Sequence, residues 1–237
     1  MTTIQLSQVP AISIVSYRHI HIANDLPAKP TYPVSIGLIV PAYNAVRTIR
    51  EILHRVYQAL DGIVQENPRI ELYTHEKNRG KGAAIRTGLE FIFTDLVIIQ
   101  DADLEYDPND IPLLVEPLLA GEADIIFGSG VLPLPGGKPR PRRNIYGWGV
   151  WVLDCLIHAR CGYRLTDHAT CYKLLRTCDL KSMNLRSDGF EFCVEVVKCA
   201  SERCFLIVER AVNFKGRQTN DGKKIAAVDF FNILLSY

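Results

Sequence analysis

Three carboxylates follow a short apolar run and could bind a metal ion. Residues 96–99 are Leu-Val-Ile-Ile, which predicts a strand buried on both faces. Asp101, Asp103 and Glu105 occupy alternate positions just after it. Acidic side chains at the carboxyl end of a buried strand lie where open α/β sheets bind ligands, and Mg²⁺ and Mn²⁺ prefer oxygen ligands. The alternative is that these acids only cap the strand and the helix that follows.

The elements that would position this loop alternate between strand and helix. Apolar runs predict strands at residues 37–40, 70–73, 96–99, 124–127, 171–176 and 205–212. Apolar residues at helical spacing predict helices at residues 46–60, 83–93, 111–119, 144–159, 190–200 and 225–235. The alternation up to residue 127 predicts an α/β protein with a largely parallel sheet and crossover helices. Gly80 and Gly82 precede the second helix, whose N-terminus is either an anion site or a start punctuated by glycine.

Composition excludes several classes of protein. The chain has 237 residues, 48% of them hydrophobic, and a net charge of +1, so no strong field steers it to nucleic acid. Its seven cysteines are odd in number and contain no C-x-x-C pair, which predicts reduced thiols in a cytosolic setting. No apolar run is long enough to span a bilayer, and no secretory signal is visible.

Short motifs along the chain match one known family in order. They are residues 39–44 (IVPAYN), 76–84 (EKNRGKGAA), 100–105 (QDADLE), 165–167 (LTD), 170–173 (TCYK), 189–191 (GFE), 216–217 (GR) and 222–225 (GKKI). Together they resemble the family 2 glycosyltransferases, specifically the dolichyl-phosphate mannosyltransferase-like branch. The resemblance implies a GT-A (nucleotide-diphospho-sugar transferase) fold at 34–237, after an N-terminal extension at 1–33. It also implies an inverting hexosyltransferase with a nucleotide-sugar donor, Mg²⁺ or Mn²⁺, and a polyprenyl-phosphate acceptor.

Particular residues take roles from this resemblance and from the chemistry of the reaction. Breaking a sugar–diphosphate bond leaves a dianion, so a cation held by Asp101 and Asp103, with Glu105, would supply the main stabilisation. The donor-binding residues are expected to be Pro41, Tyr43, Asn44, Lys81, Ala102, Arg217 and Lys223. The acceptor phosphate is assigned to Arg142, Arg143 and Asp167. That phosphate is itself a charged nucleophile, so no protein base is strictly needed. For Arg217 and Lys223, a solvated basic tail is the alternative.

The chain departs from the family pattern in three places. The family has a further strand ending in an Asp-Asp-Gly-Ser motif that contacts the nucleoside, and this segment is missing between residues 60 and 70. Ala45 stands where the family commonly has glutamate, and Gly130 where an arginine usually follows Gly-Ser. We expect the gap in the sheet to close by direct pairing of the strands at 37–40 and 70–73, in preference to insertion of residues 12–15. In either case donor affinity should be low.

Three functional hypotheses follow. The first is a metal-dependent glycosyltransferase acting on polyprenyl phosphate at the cytoplasmic face of a membrane, with peripheral attachment through the Trp148/Trp151 region or through residues 225–235. The second is a sugar-nucleotide pyrophosphorylase, a class that opens with a glycine-rich basic loop, which residues 41–44 are not. The third is an inactive paralogue that serves as a binding or scaffolding subunit, favoured by the missing segment.

Overall fold

The computed structural model describes residues 11–20, 34–45, 47–61, 69–138 and 154–216. The strands in this part of the chain are β1 (Ala11–Ile20), β2 (Val34–Tyr43), β3 (Arg69–His75), β4 (Leu96–Ile99), β5 (Ile125–Ser129), β6 (Lys173–Arg176) and β7 (Ile207–Ala211). The helices are α1 (Ile49–Asp61), α2 (Lys81–Glu90), α3 (Ile111–Leu119), the helical residues 154–161 as α4, α5 (Thr177–Ser182) and α6 (Phe192–Glu202). A short 3-10 turn, Pro108–Asp110, precedes α3.

One sheet contains all seven of these strands, in the order β3-β1-β2-β4-β6-β5-β7. β2 and β4 pair in parallel, as do β5 and β7, whereas β1 and β6 are antiparallel to both of their neighbours. Five of the seven strands therefore run in one direction, and their carboxyl ends meet at one edge of the sheet. The predicted α/β fold with flanking helices is confirmed, with two reversed strands that make the sheet mixed.

β1 occupies the gap between β2 and β3, so the expected direct pairing of those two strands is wrong. All ten residues of β1 pair with β2, from Ala11 opposite Tyr43 to Ile20 opposite Val34. Seven of them also pair with β3. Ile20 lies opposite Val34, so the register is complete along the full length of both strands, which lie about 4.8 Å apart. Part of the predicted extension thus belongs to the sheet, and the domain boundary at residue 34 stays a prediction.

Helices cover both faces of the central strands. In β2, Leu38 packs in the apolar cluster beneath α1 and α3, whereas Ile39 packs in the cluster beneath α2 and α6. β4 alternates in the same way, with Ile98 on the first face and Val97 on the second. A strand that is buried on both faces needs apolar residues at every position. The uninterrupted apolar runs at 37–40 and 96–99 therefore predicted these two strands correctly.

The second half of the chain also follows its sequence pattern closely. The strands predicted at 171–176 and 205–212 correspond to β6 and β7, and the helix predicted at 190–200 corresponds to α6. Within the described ranges, no helix is both long and apolar enough to cross a membrane. The helix predicted at 144–159 is described only from residue 154, and the helix predicted at 225–235 lies outside the described residues.

Candidate active site

The acidic loop begins where β4 ends, at the edge of the sheet where parallel strands terminate. Gln100, which is fully buried, fixes the exit from β4. Its side-chain carbonyl accepts a hydrogen bond from the Tyr172 hydroxyl at 2.6 Å, and its Nε2 donates to the Asp101 carbonyl at 3.0 Å. Asp101, Asp103 and Glu105 then follow, all partly buried. The end of β4 and the buried Gln100 together position Asp101 at the carboxyl edge of the sheet.

Lys81, at the start of α2, is brought to this loop as an ion-pair partner. Its Nζ lies 2.8 Å from Oδ1 and 2.9 Å from Oδ2 of Asp101, and its side chain is 10% exposed. Burial by itself lowers the pKa of Lys81, but the charge of Asp101 helps to outweigh burial, so the pKa is raised above its ordinary value. The ammonium group is therefore charged at neutral pH and sits on the first acid of the loop.

The acidic loop is suited to a cation that is shared with a substrate. No three His, Cys, Asp or Glu side chains converge as a ready-made metal site in the part of the chain that the structure describes. Mg²⁺ commonly takes only one or two protein carboxylates and completes its shell with water and substrate phosphate. The carboxylates of Asp101 and Asp103 fit that donor set, and the contact between Lys81 and Asp101 would have to rearrange for Asp101 to bind a cation.

The glycines before α2 serve close packing, and the predicted anion site at this helix N-terminus is wrong. The amide of Gly82 donates to the Gly189 carbonyl at 3.2 Å, and the amide of Ala83 donates to the Asp188 carbonyl at 3.0 Å. A Cβ added to Gly82 would lie 2.2 Å from the Ser187 carbonyl oxygen. The glycines are therefore required for contact with a distant loop, and the two amides are already satisfied.

The predicted donor-binding residues near β2 fall into exposed and buried positions. Pro41 and Tyr43 belong to the last residues of the strand, with Tyr43 43% exposed, and Asn44 follows in the left-handed region at φ 51°. The Ala45 carbonyl accepts hydrogen bonds from the amides of Thr48 and Ile49 at the start of α1. These contacts use the backbone of Ala45 and do not depend on its side chain. Ala102 is 1% exposed and packs in the core. The roles of these residues in donor binding stay predictions.

Asp167 lies at the carboxyl end of β5, on the same edge of the sheet. Its Oδ2 accepts from the Gly130 amide at 3.0 Å. Glu209 on β7 fixes the position of the Thr166–Asp167 backbone. Its carboxylate accepts hydrogen bonds from the amides of Thr166 and Asp167 at 2.8 and 3.0 Å, and from the Thr166 hydroxyl. Burial raises the pKa of Asp167, and the Gly130 amide opposes that shift. Sequence alone offers little to single out Glu209, since a lone acid in an otherwise ordinary strand is the only signal.

The segment after β7 runs back along the acidic loop. The Lys215 amide donates to the Glu105 carbonyl at 2.7 Å, and Tyr106 and Phe214 form an antiparallel bridge with their ring centroids 4.9 Å apart. Phe214 also fills the space beside Gly130, where an added Cβ would lie 2.9 Å from the Phe214 side chain. An arginine at position 130, as in the family pattern, would displace this phenylalanine.

Four basic residues predicted to bind phosphates lie outside the described residues: Arg142, Arg143, Arg217 and Lys223. The tryptophans predicted to contact a membrane, Trp148 and Trp151, also lie outside them. The structure brings Lys81, Asp101, Asp103, Glu105 and Asp167 to one edge of the sheet.

Two known proteins are similar in sequence to this chain. Dodecaprenyl-phosphate galacturonate synthase of Rhizobium johnstonii is 23% identical over 188 residues, which cover 69% of this chain and 54% of that protein. Dolichol-phosphate mannosyltransferase of Pyrococcus furiosus is 26% identical over 126 residues, which cover 44% of this chain and 35% of that protein. The chain thus spans about half or less of the length of these relatives.

The fold has a counterpart among solved structures. The crystal structure of mannosyl-3-phosphoglycerate synthase from Rubrobacter xylanophilus matches with a TM-score of 0.56 at 13% identity, over 84% of this chain and 70% of that one. At this identity the likeness concerns the fold, and it confirms the predicted GT-A architecture. The model of the family described as Glycosyl transferase family 2 matches residues 55–188, more than half of the chain, and this range includes the acidic loop. The chain therefore belongs to glycosyl transferase family 2.

Proposed function

We propose that this chain transfers a sugar from a nucleotide-sugar donor to a polyprenyl phosphate at the cytoplasmic face of a membrane. The observation that carries the proposal is the acidic loop at the carboxyl edge of the sheet, with Lys81 on Asp101 and the 213–215 segment beside Glu105. Two relatives support the acceptor class, since their names contain dodecaprenyl phosphate and dolichol phosphate.

The residues divide the reaction between donor and acceptor. A Mg²⁺ or Mn²⁺ ion held by Asp101 and Asp103, with Glu105, would neutralise the diphosphate as it leaves. Lys81 adds a positive charge beside the same phosphates once its carboxylate partner takes the cation. Arg217 and Lys223, which match the basic pair of the family, are proposed to bind the same diphosphate.

The acceptor needs orientation more than activation. A phosphate monoester has a second pKa of about 6, so it is already an anionic nucleophile at neutral pH. We assign its binding to Arg142 and Arg143, with Asp167 near the end of β5 orienting the site. Direct attack by this phosphate on the far side of the sugar carbon would invert the anomeric configuration.

Membrane contact follows from the acceptor. A polyprenyl chain stays in the bilayer, so the enzyme must reach its phosphate from the surface. We propose peripheral attachment through the Trp148/Trp151 region or residues 225–235, whose composition suits an interface. Flotation with vesicles that contain a polyprenyl phosphate measures this directly, and a chain that stays with the soluble fraction contradicts it.

A second candidate is a subunit that binds a partner or acceptor without catalysing transfer. It is favoured by β1, which takes the interior position between β3 and β2 and contains neither Asp nor Glu. Residues 1–10 before it also lack acidic residues. The nucleoside therefore gains no carboxylate from this segment.

Calorimetry with a panel of nucleotide sugars, in the presence of Mn²⁺ and then of EDTA, tests the proposal. We expect at least one nucleotide sugar to bind only with the metal, and Asp103→Ala to lose that binding. A transfer assay with labelled donor and polyprenyl phosphate in detergent follows for any donor that binds. If the wild-type protein binds none of the nucleotide sugars, the glycosyltransferase proposal is overturned and the non-catalytic subunit is favoured.

A further inference from the structure

Lys81 occupies the carboxylate that is proposed to hold the metal ion. Its Nζ contacts both oxygens of Asp101, at 2.8 Å from Oδ1 and 2.9 Å from Oδ2. The ring of Phe190 also lies near the ammonium group, with its centroid 5.9 Å from Nζ. The side chains of Lys81 and Asp101 are 10% and 24% exposed. Water therefore screens the two charges less than it screens an ion pair on the surface.

The backbone of α2 is attached to a neighbouring loop at the position of Lys81. The amides of Gly82 and Ala83 donate to carbonyl groups of residues 187–189. Arg86, in the second turn of the helix, donates to a carbonyl group of the same loop and forms an ion pair with it. A shift of the helix would break these contacts. The ion pair therefore opens by rotation of the Lys81 side chain rather than by movement of α2.

A divalent cation and the ammonium group of Lys81 compete for Asp101. If both bound this carboxylate, they would lie within a few ångströms of each other, where repulsion between like charges is strong because little water is present. A free cation must therefore displace Lys81. The displaced ammonium group would have little access to water and no anion beside it. Breaking a buried ion pair in this way is strongly unfavourable.

A nucleotide diphosphate compensates for this loss, because it supplies a new anion. When the diphosphate binds together with the cation, its oxygens lie beside the acidic loop. The rotated ammonium group can then form charge-assisted hydrogen bonds with those oxygens. Cation and diphosphate each favour the binding of the other, which is a positive coupling between two ligands.

We propose that Lys81 excludes free divalent cations from Asp101, so that the metal enters the site together with a nucleotide diphosphate. The role of the diphosphate rests on the proposed function, whereas the exclusion of the free cation rests on the ion pair itself. Loss of the lysine should therefore have two opposite effects. It should strengthen the binding of the free cation and weaken the coupling between cation and nucleotide. A general loss of structure would weaken both.

The variants separate this role from net charge and from folding. Lys81→Met removes the ammonium group and keeps an unbranched side chain. Lys77→Met, at an exposed lysine four residues earlier, makes the same change in net charge and is the matched control. Lys81→Gln, whose carboxamide can still donate to Asp101 without a charge, replaces Lys81→Met if that variant does not fold, and it is judged by the same criteria. Circular dichroism checks that each variant is folded.

Electron paramagnetic resonance measures free Mn²⁺ during titration of the full chain, without nucleotide and then with an excess of UDP or GDP. Titration of each nucleotide without protein supplies the correction for Mn²⁺ that the nucleotide itself binds. We expect the wild-type protein and Lys77→Met to bind Mn²⁺ at least about tenfold more tightly with one of the nucleotides than without. Without nucleotide, Lys81→Met should bind Mn²⁺ at least about tenfold more tightly than the wild-type protein, and it should gain less from nucleotide.

Each other outcome overturns a stated part. Equal Mn²⁺ affinities of Lys81→Met and the wild-type protein without nucleotide would show that Lys81 does not exclude the cation. An equal increase in Lys77→Met would assign the effect to net charge and overturn the role of the ion pair. An unchanged gain from nucleotide in Lys81→Met would overturn the coupling. A wild-type protein that binds neither nucleotide overturns the proposed function instead, while the titrations without nucleotide still decide whether Lys81 excludes the cation.

Discussion

The carboxylates of the acidic loop are not equivalent, because Lys81 forms an ion pair with Asp101. Asp101 neutralises a lysine that is only 10% exposed, whereas Asp103 turns back on the loop itself, where its Oδ1 accepts the Glu105 amide at 3.4 Å. Removing Asp101 therefore leaves a buried ammonium group without its anion. Removing Asp103 takes away a proposed metal ligand but leaves the buried pair of Lys81 and Asp101 intact.

We predict that Asp101→Ala and Asp103→Ala both abolish Mn²⁺-dependent nucleotide binding, and that Asp101→Ala lowers stability more than Asp103→Ala does. The expected loss for Asp101→Ala is about 1–3 kcal/mol, the range for a buried polar group left unsatisfied. Urea unfolding and calorimetry on the same preparations measure the two effects. The double variant Lys81→Met/Asp101→Ala should recover stability without recovering binding. Normal nucleotide binding by either single variant would show that the metal assignment is wrong.

Glu209 gives a pH-dependent prediction away from the acidic loop. Burial raises its pKa above 4.5, although hydrogen bonds from Thr166 and Asp167 oppose the shift. A carboxyl group with a raised pKa in the folded state contributes stability that is fully present below the unfolded pKa and is lost as the pH rises through the folded pKa. The wild-type protein should therefore lose stability relative to Glu209→Gln as the pH rises above about 4.3, the ordinary pKa of glutamate.

Urea unfolding at several pH values measures that difference for Glu209→Gln. The variant also loses hydrogen bonds to the Thr166–Asp167 turn, which lowers its stability by an amount that does not depend on pH in this range. Only the trend with pH is therefore diagnostic. Glu122→Gln, at an exposed carboxylate, controls for the loss of one charge. A wild-type protein that gains stability over Glu209→Gln as the pH rises contradicts the raised pKa.

Among the elements, β1 has the largest effect on the rest of the sheet. It pairs with ten residues of β2 and seven of β3. Without it, the buried strand β2 would expose a row of unpaired backbone donors and acceptors, and β3 would be separated from the sheet. An N-terminal strand thus replaces the interior strand that the family pattern leads one to expect, with reversed direction.

We predict that deletion of residues 1–20 abolishes cooperative unfolding, because each buried backbone group left unpaired costs about 1–3 kcal/mol. Circular dichroism during urea titration measures the transition. Deletion of residues 1–9 is the control, because it shortens the chain at the same end but leaves β1 complete. This variant should retain the transition. A cooperative transition at the wild-type midpoint after deletion of residues 1–20 would show that β1 is dispensable.

For the whole molecule, the position of β1 bears on which donor the proposed site could recognise. β1 is antiparallel to β2, so its first residue, Ala11, lies opposite Tyr43 at the edge where the donor is proposed to bind. Neither β1 nor residues 1–10 contain an acid that could hydrogen-bond a base or ribose. The acidic loop after β4 and Asp167 at the end of β5 are unaffected by this exchange. Under the proposed function, the residues assigned to the metal and the diphosphate are therefore present, whereas β1 supplies no acidic partner for the nucleoside.

We predict weak discrimination among nucleotides. The dissociation constants of UDP, GDP, ADP and CDP with Mn²⁺ should agree within about tenfold, which corresponds to about 1.4 kcal/mol, the scale of a single hydrogen bond. Inorganic diphosphate serves as the reference for the phosphate contacts alone. A preference of about a hundredfold or more for one base would contradict the prediction, because it would require a specific nucleoside contact.

Local sequence patterns were enough to predict the framework of the sheet and the place of the acidic loop. The apolar runs of β2 and β4 predicted doubly covered strands, because a strand with helices on both faces has no solvent-facing position. The acids at 101, 103 and 105 come directly after such a run, so their place at the edge of the sheet follows from chain direction alone. The ordered short motifs predicted the family, and the match over residues 55–188 confirms it.

Only the tertiary structure decided which distant parts meet. Gly82 is required by the Ser187 carbonyl, Asp110 binds Asn213, and β1 rather than β3 pairs with β2. None of these contacts has a local signature, since a glycine before a helix, an acid at an N-cap and a short apolar strand each have several uses. The role that each of these residues or strands takes depends on which backbone groups and strand edges are left unpaired by the rest of the fold. That is a property of long-range packing, and the spacing of residues along the chain does not contain it.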